Sequence, residues 1–386
     1  MKKLSKLMLA AVASVALAAP AFAWDFSASG SSSATFKQQT YAPAEGDATT
    51  TADFSSSAGG VTISSSNSDG ANSATFSYTA DYNSDGDALN FDEYVSVSGS
   101  KKVGNWTASS ATTQYMQKDS TAGTPMTSNG SAVITLTDGS ITYKLGNAAH
   151  LSTAEKTSDG PMDGTQDAEA SVDAFDGFSV GLGVGPGTLT VALEMGSTGS
   201  SKGAGDATYL GEGTGGGAAL TCGAQKTGFG LNFAGDVGAD LTFTYGSGSA
   251  AMGSGCTDNA SANAATYSVM GLGVAIPVGD MTIAFDYGTK VALNTVGTAE
   301  GGSATGGWEI SLVMPVGDAS AGVNLSSTAT IDTAAGVAGD AAVTGGTELW
   351  YTVPIGAVSL SAGYGSSAVV DGTTTTEIGA EMSMSF

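Results

Sequence analysis

The sequence predicts a transmembrane antiparallel β-barrel of up-and-down topology. Its segments alternate apolar with small or polar residues, as in Phe178, Val180, Leu182 and Val184, which is the period of a half-buried strand. After the amino-terminal segment no run of about 18 apolar residues occurs, so a membrane-spanning helix is excluded. Only a closed barrel then pairs every backbone N–H and C=O group in lipid. Charged residues are only 12% of the chain, roughly half the fraction usual in soluble domains.

The amino terminus has the pattern of a secretory signal. Lysines within residues 2–6 precede an apolar stretch, and residues 20–23 supply a cleavage site with small side chains. We therefore expect a signal peptide over 1–23 and a single barrel domain over 24–386. No cysteine lies at the cleavage point, which argues against a lipoprotein.

The connections between predicted strands alternate between short and long. Pro277-Val278-Gly279-Asp280 recurs as Pro315-Val316-Gly317-Asp318, and both have the residues of tight turns. Short periplasmic turns at one rim and long extracellular loops at the other are typical of outer-membrane barrels. Counting back from the carboxyl terminus gives 18 strands, and 16 is the alternative because segments before residue 120 could merge. The long connections are rich in Gly, Ser, Thr and Ala and lie at 196–225, 246–266, 288–305 and 326–346.

The final predicted strand alternates Ile378, Ala380, Met382 and Met384 with small or polar residues and ends at Phe386. Such a strand resembles the signal that the outer-membrane assembly machinery reads in Gram-negative barrels. With the signal peptide and the hairpins, the whole chain resembles the Gram-negative general porins. The resemblance implies an integral protein of the cell outer membrane, in contact with lipid and lipopolysaccharide and assembled as a homotrimer.

A long connection over 147–176 resembles the third loop of the general porins, which folds into the barrel and narrows it. The chain departs from that family because Gly146-Asn147 stands where porins have Gly-Arg, and because the loop follows the seventh predicted strand. A solvated external loop without a role in conduction is the alternative. The resemblance implies a pore constriction made of loop acids and one lysine of the preceding strand, namely Glu155, Asp159, Asp163, Asp167, Glu169, Asp173 and Lys144.

Five more acids are expected to line the lumen wall, because each lies between apolar neighbours on a predicted strand. A charge on the lipid face would cost roughly 2–4 kcal/mol for a base at the midplane and somewhat less for an acid. Rings of Asp and Glu favour cations in a narrow pore. The five wall acids are Glu194, Asp286, Glu309, Glu348 and Glu381.

The overall charge is strongly acidic. Three of the 12 basic residues, all of them lysine, lie in the predicted signal, which leaves 9 basic and 36 acidic residues and a mature net charge of about −27. Nucleic-acid binding is excluded, since it needs cationic patches. A cation-preferring pore fits this balance.

Two further patterns concern calcium and a disulfide. The segment 81–92 resembles a calcium loop of the EF-hand or dockerin type, and a tight turn between two strands explains the same residues. No other cofactor is expected. Cys222 and Cys256 fit one disulfide between two external loops in an oxidising compartment. The calcium ligands would be Asp81, Asn83, Asp85, Asp87 and Asp92.

These features predict a porin for passive diffusion of small hydrophilic solutes and ions. The alternatives are a structural or adhesive barrel without an open pore and a channel selective for one substrate. An enzyme is not expected, because the chain has a single histidine, His150, and no basic groups surround it.

Overall fold

The computed structural model describes residues 25–85, 88–117, 131–162, 172, 175–197, 224–252, 264–296, 299–333 and 341–386. Within these ranges it describes the backbone alone at 56–59, 81–92, 115–117, 131, 196–197, 224–226, 250–252, 264–265, 294–296, 299–301, 332–333 and 341. Several predicted features lie outside the described residues. They are the signal peptide 1–23, both cysteines of the predicted disulfide (Cys222 and Cys256), the calcium ligands Asp81, Asn83, Asp85, Asp87 and Asp92 as side chains, and the loop acids Asp163, Asp167, Glu169 and Asp173.

The described residues form 18 antiparallel β-strands in one sheet, in which consecutive strands are neighbours and β1 also pairs with β18. The predicted up-and-down barrel of 18 strands is confirmed, and the alternative of 16 strands is wrong. The strands are β1 (Asp25–Ala42), β2 (Thr49–Ser68), β3 (Asn72–Asp85), β4 (Ala88–Val103), β5 (Trp106–Gln117), β6 (Ser131–Thr137), β7 (Ile141–Ala148), β8 (Phe175–Val184), β9 (Gly187–Ser197), β10 (Ala224–Asp236), β11 (Asp240–Met252), β12 (Ala264–Val278), β13 (Met281–Val296), β14 (Ala299–Val316), β15 (Ala319–Thr333), β16 (Ala341–Ile355), β17 (Val358–Val369) and β18 (Thr374–Ser385).

The chain divides into two compact units. The smaller unit comprises Met1–Ser32, Ser57–Leu136 and Ser385–Phe386, and the larger comprises Ser33–Ser56 and Thr137–Met384. In the smaller unit the backbones of Gly30 and Phe386 exchange two hydrogen bonds, of 2.8 and 3.0 Å. The candidate site described below lies entirely in the larger unit. A single domain over 24–386 stays a prediction.

In the larger unit the two faces of the sheet have opposite polarity. Leu349, Tyr351 and Ile378 are exposed on one face, while Glu309 and Glu348 are buried on the other, which we call the inner face. Alternation along each strand produces this division, because successive side chains point to opposite faces. An apolar exterior and a polar interior are the arrangement of barrels that cross a membrane.

Among the residues that the structure describes, no helix has the length and hydropathy needed to span a membrane.

The short turn after β12 has two residues, as the sequence allows. Val278 pairs with Met281, so only Gly279 and Asp280 connect β12 to β13. Gly279 has a φ of 64°, the left-handed conformation that two-residue hairpin turns require. The preceding Pro277 remains in the strand, opposite Thr282, instead of belonging to the turn.

Candidate functional site

After β7 the chain turns back onto the inner face of the sheet. Residues 149–162, which we call the docked segment, lie against side chains of β8 to β18 within the larger unit. The segment has no regular secondary structure. Leu151, Ala154 and Met162 of the segment are buried, with exposed fractions of 3%, 0% and 2%. Its contacts are therefore extensive enough to fix its course.

His150 fixes the start of the docked segment. Its Nδ1 lies 2.9 Å from the Ser179 hydroxyl of β8, and its Nε2 lies 3.0 Å from the carbonyl oxygen of Gly146. Because that carbonyl only accepts, Nε2 carries the proton and Nδ1 accepts from Ser179. The imidazole also packs on Phe175, with ring centroids 4.6 Å apart.

The middle of the segment is held by Asp286 of β13, which is 1% exposed. The backbone N–H of Lys156 donates to both carboxylate oxygens at 2.9 and 2.7 Å. The backbone N–H and the hydroxyl of Thr157 donate to the same carboxylate at 2.7 and 2.6 Å. Hydrogen bonds to a charged group are worth about 1.5–3 kcal/mol each, so this carboxylate is a strong anchor.

A second carboxylate holds the end of the segment. The backbone N–H groups of Gly160 and Met162 donate to Glu348 of β16 at 2.9 and 3.0 Å. Between the two acids, the N–H of Ser158 donates to the hydroxyl of Ser311 at 3.1 Å. Irregular backbone buried in protein needs such partners. Here side chains of the sheet accept these hydrogen bonds from the backbone N–H groups of the docked segment.

Neutral polar residues of β10 and β11 bind the first half of the docked segment. The carbonyl oxygen of Ser152 accepts from the Thr244 hydroxyl at 2.7 Å and from the Asn232 amide at 3.3 Å. Asn232 also donates to Thr244 at 2.8 Å. Both residues are buried, so their polar groups are satisfied by the docked segment and by each other.

Glycines on the inner face make room for the segment. A Cβ added at Gly273 would overlap the carbonyl oxygen of Ala154 and lie 2.6 Å from its carbonyl carbon. A Cβ at Gly230 would lie 2.5 Å from Leu151, and one at Gly363 would lie 3.1 Å from Met162. The Ala154 backbone and the Leu151 and Met162 side chains can approach the sheet this closely because these positions carry no side chain.

No protein-family model and no curated protein sequence matches this chain. Its structure is similar to an anion-selective porin from Comamonas acidovorans, with a TM-score of 0.52 and 10% identity over 94% of this chain and 100% of that one. It is also similar to the outer-membrane channel DcaP of Acinetobacter baumannii, with a TM-score of 0.52 and 11% identity over 94% and 97%. OmpT of Vibrio cholerae gives a TM-score of 0.50 at 10% identity over 94% and 98%.

The chain has the fold of the outer-membrane porins. At identities of 10–11% the similarity shows the fold and does not extend to the residues of the site.

Within this porin fold, the structure describes three of the seven predicted constriction residues, and their role in a constriction stays a prediction. Glu155 and Asp159 are exposed on the docked segment. The ammonium of Lys144 of β7 donates to the carbonyl oxygen of Ala149, at the start of the docked segment, at 3.3 Å. The lysine that lies among the loop acids is Lys156, and its ammonium binds Asp240 at 2.9 Å.

The predicted wall acids occupy the inner face, but most of them are covered. Asp286, Glu309 and Glu348 lie under the docked segment with exposed fractions of 1%, 1% and 0%. Glu194 of β9 is also buried, at 4%. Only Glu381 is half-buried, and it accepts from the Thr35 hydroxyl at 3.2 Å. The role of the five acids as a lumen wall stays a prediction, and two of them, Asp286 and Glu348, accept hydrogen bonds from the docked segment.

One inner-face acid was missing from the sequence analysis. Glu377 is 2% exposed and binds Lys37 of β1 at 3.2 Å and Gln39 at 2.5 Å. Glu377 lies four residues before Glu381 on the same strand, so the two side chains point to the same face of the sheet. The predicted strand begins at 378, whereas β18 begins at Thr374. Glu377 therefore lay outside the predicted strand and was not assigned to a face.

Docking of the segment should depend on the protonation of His150. Burial lowers the pKa of His150 below its ordinary 6.5, and the nearby Lys144 lowers it further, whereas the hydrogen bond to Gly146 and the charge of Asp176 act in the opposite direction. An undocked histidine takes up a proton more readily than the docked one, so docking is strongest above pH 6.5 and weakens as the pH falls below it. Single-channel conductance measured on both sides of that pH should rise on the acid side.

The His150→Gln variant is the control for this effect, because glutamine keeps polar groups at the site but does not titrate. Its conductance should be the same at both pH values. An equal acid response in the variant and the parent would assign the response to carboxylates instead.

Proposed function

We propose that the protein forms a water-filled channel in the outer membrane through which small hydrophilic solutes and ions diffuse. The observation that supports this most is the docked segment on the polar inner face of an 18-strand sheet. Barrels of 16 to 18 strands have an interior wide enough for an aqueous channel. A segment folded against the inner face narrows such a channel without needing to close it.

We propose that the channel prefers cations. The mature chain carries about −27 charges and no arginine. Glu155 and Asp159 are exposed on the docked segment, and the neighbouring Lys156 is already paired with Asp240. The similar Comamonas porin is anion-selective, so the fold does not determine the sign of the selectivity. The sign follows from the side chains that each chain exposes.

Reversal potentials test both parts of this proposal. Purified mature protein in a planar bilayer under a tenfold KCl gradient should give stepwise conductance and a potential of the cation-selective sign. The double variant Glu155→Gln and Glu381→Gln should move the potential toward zero by removing two carboxylates that contact water, with little change in conductance. A potential of the anion-selective sign would contradict the cation preference.

An absence of conductance steps from folded protein would instead favour a structural or adhesive barrel without an open pore. Steps that one solute blocks at low concentration would favour a substrate-selective channel. A catalytic role for His150 has no support in the geometry, because both ring nitrogens are bonded and the side chain is 3% exposed.

We propose that the barrel is assembled as a homotrimer in lipid that also contains lipopolysaccharide. The exposed apolar face supports contact with lipid and with neighbouring copies. Phe386, whose backbone pairs with Gly30, is the proposed signal for the assembly machinery. Analytical ultracentrifugation of the detergent-purified protein should give the mass of three chains. A monomer at all concentrations would contradict this assembly.

A further inference from the structure

The outer face of the larger unit, opposite the inner face, carries an apolar belt that ends at a row of aromatic side chains. Val278, Val316 and Ile355 lie beside short turns and are exposed, so the belt begins at those turns. At its other end Tyr287 and Trp308 are direct neighbours in the sheet register. Such a girdle marks the place where the apolar band of an outer-membrane barrel meets the membrane surface. The exposed members of this aromatic row are Phe229, Tyr245, Tyr287, Trp308 and Tyr364.

Beyond the aromatic row, β10, β11, β12 and β18 carry hydroxyl groups on the outer face. Alternation places these side chains on the same face as the belt, because each lies an even number of residues from a belt residue of its own strand. Hydroxyl groups donate and accept hydrogen bonds, so this surface is suited to water and to the sugars of lipopolysaccharide. The residues are Thr227, Ser249, Thr266, Ser268, Thr374 and Thr376.

Four neighbouring strands, β13 to β16, differ in this region. Past a few Thr, Ser and Gly residues their outer face becomes apolar again. Leu293 and Ile331 are 54% and 42% exposed, and Ala304 of β14 pairs with Val291 on one side and with Ile331 on the other. These side chains therefore form one contiguous surface without a charged group, which we call the upper patch. It consists of Val291, Leu293, Ala304, Ala329, Ile331 and Val343.

The upper patch needs a protein partner. Lipid tails end at the aromatic row and do not reach it, and contiguous apolar patches exposed to water mark interaction sites. Lipopolysaccharide presents hydroxyl and phosphate groups there, and the patch has no side chain that binds them. The small Ala304 and Gly306 lie on β14 between the protruding Leu293 and Ile331, so apolar side chains of another copy can approach the sheet closely. An uncharged apolar surface of this kind is complementary to itself.

The area of the four strands fits a stable contact. On each strand the stretch from the short turn to the end of the upper patch is 13 residues long. Four strands about 4.8 Å apart, each about 43 Å long over this stretch, make a face on the order of 800 Å². Each partner contributes roughly 800 Å² to a specific protein–protein interface. The four stretches are 281–293, 304–316, 319–331 and 343–355.

We propose that β13 to β16 form the contact surface between copies of the chain in the homotrimer. In a three-fold ring each copy meets two neighbours through different parts of its surface. The strands β13 and β14 of one copy therefore lie against β15 and β16 of the next. The proposal rests on the proposed homotrimer and adds the surface that holds it together. It is independent of the docked segment, which lies on the inner face.

Analytical ultracentrifugation of the Ile331→Glu variant in detergent tests this surface. An unpaired carboxylate is costly to bury in an apolar contact, so the concentration at which the trimer dissociates should rise at least about tenfold. Thr227→Glu is the matched control, because it places the same charge beyond the aromatic row on β10. Its dissociation should be that of the parent protein.

The outcomes separate the surface from the assembly. If Ile331→Glu dissociates at the parent concentration, the trimer stands and this surface is overturned. Equal dissociation of Ile331→Glu and Thr227→Glu above the parent concentration would also overturn it. A monomeric parent protein would overturn the trimer and the surface together.

Photo-cross-linking keeps the result decisive if Ile331→Glu does not fold. A photo-reactive benzoylphenylalanine in place of Ile331 keeps the position apolar and should join copies into covalent dimers and trimers in the outer membrane. The same residue in place of Thr227 should leave the chain monomeric on a denaturing gel. Equal cross-linking from both positions, or none from position 331, would overturn the proposal.

Discussion

Replacing Asp286 and Glu348 together by alanine is expected to release the docked segment from the sheet. Asp286 accepts hydrogen bonds from three donors of the segment and Glu348 accepts from two. The released N–H groups can bind water, so each carboxylate should account for about 1.5 kcal/mol, at the low end for hydrogen bonds to charge. Because the acids lie on β13 and β16 and accept from different residues of the segment, their effects should add to a shift of about a hundredfold in the docking equilibrium.

Cleavage by endoproteinase Lys-C after Lys156 measures this shift directly, since Lys156 lies within the docked segment and is half-buried. The cleavage rate follows the population of the undocked segment when docking is fast. Single-channel conductance should rise in the same variant. Glu381→Ala is the matched control, because Glu381 contacts Thr35 and not the segment. If the control and the double variant are cleaved equally fast, the two carboxylates do not hold the segment.

The strands could be predicted from the sequence because their pattern is local. Alternation of side chains has a period of two residues, and the pairing of each strand with the next needs only a turn between them. Thus the hairpin from Met270 to Tyr287 was recognised from its apolar positions and from Gly279-Asp280. The boundaries of the elements were wrong in places. Pro277 remains paired in β12, and most of the long connections predicted over 288–305 and 326–346 is strand, with Thr289 paired to Gly306 and Ser327 to Trp308. Gly, Ser and Thr on the polar face of a strand have the composition of a loop, so the sequence did not separate the two.

The role of the wall acids could not be predicted in this way. Alternation correctly indicates that Asp286 and Glu348 do not share the exposed apolar face. It does not indicate what covers them, because their partners lie 130 and 188 residues away along the chain. The same holds for Asn232 and Thr244, which have the size and polarity of ordinary inner-face residues. Their contacts depend on the course of an irregular segment, and irregular backbone has no sequence period.

Glycine at inner-face positions was also uninformative in the sequence. The chain has 57 glycines, so the few that make room for the docked segment do not differ in pattern from the others. Gly273 is distinguished only by the carbonyl group of Ala154 above it. This contact provides a way to displace the segment without removing any charge or hydrogen-bond acceptor.

Gly273→Ala is expected to undock the segment by steric overlap alone. The added Cβ would collide with the carbonyl oxygen of Ala154 and lie 2.8 Å from Asp286 Oδ1. The carbonyl group of Ala154 is backbone, so the segment must move away from β12 to relieve the overlap. Overpacking of this kind costs about 1–3 kcal/mol, which corresponds to a shift of about fivefold to 150-fold in docking. Lys-C cleavage after Lys156 and single-channel conductance should both increase.

The comparison with Gly306→Ala separates overlap from the general effect of removing a strand glycine. At Gly306 of β14 the nearest atom to an added Cβ is 3.5 Å away, an ordinary contact, so cleavage should stay at the parent rate. The Gly273→Ala protein keeps every carboxylate, and its ion selectivity should therefore change less than that of the double variant lacking Asp286 and Glu348. If Gly273→Ala is cleaved at the parent rate, the segment does not rest on β12, and its docking must be assigned to other contacts.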